Sequence, residues 1–217
     1  MNLGFSGKMR SGKDTAALYV QRHNPESCIH GLAIALKRLC YDLEFRADGT
    51  NAVAWEFMKL CWERYGSCLQ VRGEVAAQLE SFTREFRGQG VDGKNRRLLQ
   101  EVAEYLRAKI SPDIWVDLLL DEVKRSDRPF LVPDVRKPHE VDDLRKAGFK
   151  IIRVEVSPEV QKARIVGAGE LYDPVALNFY TEIALDGYDG FDAVIENNGT
   201  LAEFERKLDT VLANAYH

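Results

Sequence analysis

Apolar positions along this chain alternate between short unbroken runs and helical spacings, and the alternation predicts most of its elements. Met1–Ser6 reads as a short strand running into a glycine-rich loop, and Ala16, Ala17, Leu18, Tyr19 and Val20 behind the loop suit a helix packed on a sheet. Ser27–Gly31 reads as a second strand. Leu32–Phe45 follows with helical spacing at Leu32, Ala35, Leu36, Leu39 and Leu43. A polar break at Arg46–Thr50 opens a mostly helical stretch, Asn51–Phe86, and a second break at Arg87–Gly93 closes it, so 46–93 is a candidate inserted helical lobe. Lys94–Ile110 has Leu98, Leu99, Val102, Leu106 and Ile110 on one side, and Pro112 starts a further helix to about Lys124. Phe130–Val132 is a buried-strand run ended by Pro133-Asp134, which delivers a residue to the sheet's carboxyl edge. Val141–Ala147 is a helix stopped by Gly148, Lys150–Val156 a strand, Pro158–Val166 a helix and Gly167–Pro174 a loop. Asp192–Ile195 is the last strand, and Thr200–Ala213 the closing helix, with Thr200 and Glu203 spaced as a capping box. Five short strands separated by helices predict a parallel sheet wound on both faces, a three-layer α/β/α architecture.

The loop behind the first strand carries the clearest chemistry. In Gly7-Lys8-Met9-Arg10-Ser11-Gly12-Lys13-Asp14-Thr15 the two glycines let the backbone turn tightly against an anion. The loop amides and the following helix N-terminus point at that anion, and Lys13 adds a positive charge. Gly7, Arg10, Ser11, Gly12, Lys13, Asp14 and Thr15 are therefore the candidate nucleotide-binding residues. Asp14 stands where the pattern G-x-x-x-x-G-K-[ST] has a magnesium-binding hydroxyl. A carboxylate there repels phosphate unless a cation lies between them, so Asp14 either coordinates magnesium, directly or through water, or caps the loop. Thr15 can still donate to a phosphate oxygen.

Composition narrows the partners. The 217 residues, 45% of them hydrophobic, suffice for one full-sized domain with an insertion. Thirty basic against 34 acidic residues leave a net charge of −4, which argues against nucleic acid or an anionic membrane as the main partner. Cys28, Cys40, Cys61 and Cys68 form no C-x-x-C pair, so no zinc or redox motif is expected. No apolar run approaches the roughly 20 residues of a membrane span, and the phosphate loop follows Met1 too closely for a signal peptide. The expectation is a cytoplasmic protein. His23, His30, His139 and His217 form no triad or ligand pair and read as structural or exposed.

With these elements placed, four segments resemble the phage-type deoxynucleoside monophosphate kinases, a branch of the P-loop nucleoside and nucleotide kinases. They are Ser6–Thr15, Arg96–Gln100, Val132–Arg136 with His139-Glu140, and Asp192–Leu201. Loops ending Ser-Gly-Lys-Asp-Thr are similar to this branch and its phosphomevalonate-kinase-like relatives. The resemblance implies a P-loop, nucleoside monophosphate kinase-like fold, and transfer of the ATP γ-phosphate, with Mg2+, to a deoxynucleoside monophosphate. The segment 44–93 matches nothing in it, and there such enzymes would shape the acceptor pocket.

Residue by residue, phosphate-to-phosphate transfer needs a metal and convergent cations. Lys13 is expected to bridge the donor phosphates, and Arg97 and Arg136 to clamp the acceptor phosphate, with Lys37 a further candidate. Asp134 could hold magnesium or orient the acceptor. Arg164, which shares its helix with Gln161 and Lys162, resembles a lid arginine that closes on ATP within a lid at 158–185. Thr181-Glu182 resembles the family's Thr/Ser-Glu pair near that lid, with Phe179-Tyr180 where a histidine is expected, which makes Glu182 a substrate-side candidate. Each has a plainer alternative: Arg97, Lys37 and Arg164 as exposed helical charge, and Asp134–Arg136 as a structural turn. Trp55, Trp62 and Tyr65 either stack a base or pack a core. Other acceptors (phosphomevalonate, dephospho-coenzyme A) and a nucleotide-sensing switch remain the competing functions, and an apolar face on the 46–93 lobe leaves a homodimer open.

Overall fold

The computed structural model describes residues 1–45, 59, 61, 63–65, 72–86, 96–178 and 180–215. The chain divides into two compact units, Met1–Leu32 with Leu119–His217, and Ala33–Leu118.

The first unit holds a five-stranded parallel sheet in the order β2-β3-β1-β4-β5: β1 (Leu3–Ser6), β2 (Cys28–Ile29), β3 (Phe130–Val135), β4 (Lys150–Glu155) and β5 (Ala193–Glu196). The chain leaves central β1 through helix α1 (Lys13–His23), builds β2 and β3 on one side, then crosses to β4 and β5 on the other. The order thus reverses beside β1, and ligands of open α/β sheets bind outside the carboxyl ends of the strands at such a point.

Alternation along β1 fixes its two faces. Leu3 and Phe5 are buried in one cluster with Ala16, Val20, Ile152, Val154, Phe204 and Leu208, under α1 and the C-terminal helix. Gly4 faces the other way, where a Cβ would meet Val135, Ile151 and Leu144 side chains. Five strands and helices on both faces were legible from periodicity.

Strand β2 is Cys28–Ile29 rather than Ser27–Gly31, and two further boundaries differ from expectation for identifiable reasons. Strand β3 does not stop at Val132 but runs through Pro133 to Val135. Val132 pairs with Gly4 and Val135 with Ser6, so β3 advances three residues while β1 advances two. The bulge falls at Pro133-Asp134, where a residue without an N–H costs the ladder nothing. The helix expected from Val141 begins at Pro138, because Glu140 turns back to accept the amides of Arg136 at 2.8 Å and Lys137 at 3.0 Å. At the C-terminal helix the capping box forms as read: Glu203 accepts the Thr200 amide at 2.7 Å and donates its own to the Thr200 hydroxyl at 3.3 Å.

The second unit is helical where described. Helices α2 (Ile34–Phe45), α3 (Arg72–Phe86) and α4 (Arg96–Lys109) enclose Leu39, Cys61, Val75, Leu98, Val102 and Leu106, joined by Ile114 and Trp115 from the start of α5 (Ile114–Lys124). Tyr65 packs against this cluster and its hydroxyl donates to Asp117. Trp55 and Trp62, and most of the 46–93 lobe on which the homodimer expectation rests, lie outside the described residues. Among the described residues no helix is long and apolar enough to cross a membrane.

Phe204 anchors the C-terminal helix in the first core at 2% exposure. Phe204→Ala is expected to cost about 3–5 kcal/mol, read as the shift in a urea unfolding transition; a loss below 1 kcal/mol would contradict this packing.

Candidate functional site

The Gly7–Thr15 loop spans the end of β1 and the start of α1, and its shape requires its glycines. Gly12 has φ +105°, and a Cβ there would strike the Asn197 amide; one on Gly7 would strike the Ser11 hydroxyl and the Val154 carbonyl. Arg10, with φ 61°, is the described non-glycine residue in the left-handed region.

Side chains from distant segments hold this backbone. Three helices complete the first unit's later half: α6 (Pro138–Lys146), α7 (Pro158–Gly167) and, at the C-terminus, α10 (Leu201–Ala215), with short turns α8 (Pro174–Leu177) and α9 (Tyr180–Ile183) between the last two. From α7, Gln161 donates to the Met9 carbonyl at 2.8 Å, and Arg164 donates to the Arg10 and Ser11 carbonyls at 3.4 Å. Just after β5, buried Asn197 donates to the Ser11 carbonyl at 2.8 Å and accepts from Arg164 at 3.2 Å. Desolvation pulls the Arg164 guanidinium below its ordinary pKa.

Inside the loop, the Lys13 side chain is only 7% exposed. Its ammonium donates to the Lys8 carbonyl at 3.4 Å and lies 3.7 Å from an Asp14 oxygen. Burial, then the neighbouring Arg136 charge, push its pKa below the ordinary lysine value, against the opposing pull of Asp14, Glu182 and Asp134. The Ser11 hydroxyl is buried without a hydrogen-bond partner. A buried ammonium with long contacts and an orphaned hydroxyl are what an anion-accepting cradle leaves behind.

Around the cradle stand the other candidates of this unit. Asp14, in the first turn of α1, has its side chain 77% exposed, and Thr15 beside it is half-buried. Asp134, at the β3 bulge, accepts the Leu32 amide at 2.7 Å, a contact that ends β2 by taking the next donor. Arg136, one residue past β3, donates to Glu182 of α9, whose other oxygen accepts the Met9 amide at 2.8 Å. Arg10 pairs with Glu170 at 2.7 Å on the surface.

Lys37 and Arg97 belong to the second unit. Lys37 is exposed on α2, and Arg97, 68% exposed on α4, pairs with Glu101 at 2.7 Å and Glu85 at 2.9 Å.

Three residues escaped the sequence reading. Arg153 on β4 is 5% exposed; it donates to the Ser6 hydroxyl at 3.1 Å and to Asp186 at 3.2 Å, and Asp186 also pairs with Lys8 at 2.7 Å. A lone arginine inside the apolar run Ile151-Ile152-Arg153-Val154 was the signal available for it. Asp186 and Lys8 gave none, since surface charges look alike until the chain is folded.

The fold is shared with a solved structure titled "Crystal structure of TT1252 from Thermus thermophilus", at a TM-score of 0.55 and 19% identity, over 99% of this chain and 97% of that one. No curated protein matches the chain. A family model described as deoxynucleotide monophosphate kinase matches residues 94–208, which carry β3 to β5 with Asp134, Arg136, Arg164 and Glu182. Spanning more than half of the 217 residues, that match places the chain in the deoxynucleotide monophosphate kinase family.

Proposed function

We propose that Gly7–Thr15 holds the triphosphate of ATP, that Arg136 holds the phosphate of a deoxynucleoside monophosphate, and that the γ-phosphate passes directly between them. The overall reaction follows from the family: an ATP-dependent phosphorylation of the monophosphate to the diphosphate. What supports the residue assignments is the Lys13 ammonium, buried in the loop with only long contacts to Lys8 and Asp14. A buried charge of that kind is stabilised when a phosphate arrives.

Both cations reach the loop, Lys13 at the Lys8 carbonyl and Arg136 through Glu182, which accepts the Met9 amide, and the Arg136 charge depresses Lys13's pKa. An anion between them relieves their repulsion, and the guanidinium's fork suits a phosphate's oxygens. The acceptor phosphate is already ionised at neutral pH, so no general base is required, and catalysis consists of positioning and charge stabilisation. Arg164 holds the loop carbonyls and supplies a donor beside them. The 158–185 segment, bonded to the loop through Gln161, Arg164 and Glu182, would exclude water, which otherwise competes as acceptor.

Magnesium suits the oxygen donors present. Asp14 offers an exposed carboxylate at the first turn of α1 and Asp134 one at the β3 bulge, and this ion takes its remaining ligands from phosphate and water. Bound there, it would neutralise charge developing on the transferring phosphate oxygens.

A coupled ADP-release assay over dAMP, dCMP, dGMP, dTMP, dUMP and the ribonucleotides, with phosphomevalonate and dephospho-coenzyme A alongside, tests this function. Turnover with at least one deoxynucleotide is expected, reduced about 100-fold or more in Lys13→Ala; retained turnover in that variant would remove the loop from the mechanism.

Arg136→Ala should raise KM for the monophosphate and lower kcat, with Arg136→Lys recovering little because an ammonium lacks the bidentate fork. Unchanged steady-state constants for the monophosphate would rule Arg136 out as the clamp.

Lys13 also sets a pH-dependent stability. Its folded pKa lies below 10.5, its ordinary value, so the unfolded chain binds this proton more readily. The cost of burying the charge is fully present below the folded pKa and is relieved as pH rises through it towards 10.5. Lys13→Met is therefore expected to raise the melting temperature of the nucleotide-free protein by roughly 2–4 °C near neutrality, with a smaller gain near pH 10. Scanning fluorimetry at both pH values reads it, and a lowered melting temperature would show that the charge is not under-compensated.

A further inference from the structure

Two carboxylates on the segment around α9 meet the phosphate loop, and they differ in what holds them. Asp186 pairs with Lys8 at 2.7 Å and with buried Arg153 at 3.2 Å, and Arg153 is in turn bonded to the Ser6 hydroxyl. With Leu185 beside it at 3% exposure, that contact fastens the segment to the sheet. Glu182 has different partners. One oxygen accepts the Met9 amide at 2.8 Å, the other accepts from the Arg136 guanidinium, and the side chain is 13% exposed. Its charge also reaches the Lys13 ammonium. A loop amide and a guanidinium are donors that bind a phosphoryl group, and here a carboxylate has both.

We propose that Glu182 is a resident stand-in for the transferring phosphoryl group, its carboxylate filling the anion position between the Met9 amide and Arg136 until a phosphate displaces it. The inference rests on the loop being the phosphate site. A carboxylate offers a single charge and two oxygens, whereas a phosphate offers more of both, so the phosphate prevails when present. Without it, Lys13 and Arg136 are not left facing each other uncompensated. The exchange needs only a new rotamer of Glu182, since the backbone nearby is fastened through Asp186 and Leu185. While Glu182 is in place, Arg136 is withheld from the acceptor and phosphate affinity is reduced by the fraction of molecules in that state.

The test is calorimetric titration with inorganic pyrophosphate in metal-free buffer, a readout independent of turnover. Glu182→Gln keeps the shape and removes the charge, and Glu155→Gln removes an equal charge from the end of β4 without touching Met9 or Arg136. Glu182→Gln is expected to bind pyrophosphate about tenfold more tightly than the unmodified protein, with Glu155→Gln close to unchanged. Unchanged or weaker binding in Glu182→Gln overturns the proposal, as does equal tightening in both variants, which would indicate only a change in overall field. Binding in the unmodified protein that Lys13→Ala abolishes, with no gain in Glu182→Gln, leaves the loop assignment standing and removes this inference alone. Absence of binding in every protein removes both. Matching melting curves establish that the variants are folded.

Discussion

The ammonium of Lys13, taken out of water under a glycine-rich loop, is the constraint around which the rest of the site is arranged. Removing a charge from solvent is unfavourable unless it is paired and hydrogen-bonded, and here the nearest acceptors are long contacts of 3.4 and 3.7 Å. Such a group stays buried only if the surrounding backbone is held by other bonds that make retreat costlier. Gln161, Arg164 and Asn197 supply those bonds, each fixing a loop carbonyl from an element remote in sequence. The loop is therefore stiff where it is electrostatically unsatisfied, which is the condition for preorganised anion binding.

The sheet explains how the other groups reach this point. Because the strand order reverses beside β1, the ends of β3 and β4 flank the loop from opposite sides, and each contributes through one irregularity. In β3 it is the bulge at Pro133-Asp134, which adds a residue, places Asp134 against the Leu32 amide and lets Arg136 emerge beside Glu182. In β4 it is Arg153, a buried cation in an apolar strand, paid for by Ser6 and Asp186. Regular strands alone would have put apolar side chains at both places.

Those irregularities also mark the limit of the sequence as a guide. Periodicity located the strands and helices of the first unit because each buries one face, and the glycine spacing of Gly7 and Gly12 located the loop because nothing else permits that backbone. Pro133 misled because a proline normally ends a strand, and only the pairing with β1 shows that it occupies the one position without a ladder bond to lose. Pro138 carried the correct signal for the start of α6, and Glu140's return to Arg136 and Lys137 explains it. Glu182 and Met9 lie 173 positions apart, so their hydrogen bond had no local signature. A resemblance could mark Glu182 as belonging near the site, but not that it faces a cation rather than a substrate.

The same pairings alter how the site's charge should be counted. Read along the chain, Lys8, Arg10, Lys13, Arg136 and Arg164 make a strongly positive cluster. In the fold, Lys8 has Asp186, Arg10 has Glu170, Arg136 has Glu182, and Arg164 spends its donors on carbonyls and Asn197. Phosphate affinity is then a difference between new contacts and those given up, and the existing pairs are unequal in that exchange. Arg10 and Glu170 are 41% and 37% exposed, so water replaces either partner at little cost. The Arg153–Asp186 contact has a cation only 7% exposed, and breaking it would strand a buried charge. The Arg136–Glu182 pair lies between these extremes at 31% and 13%. In the proposed exchange the phosphate displaces only the Glu182 carboxylate, and the segment that bears it stays anchored through Asp186 and its pairs with Lys8 and Arg153.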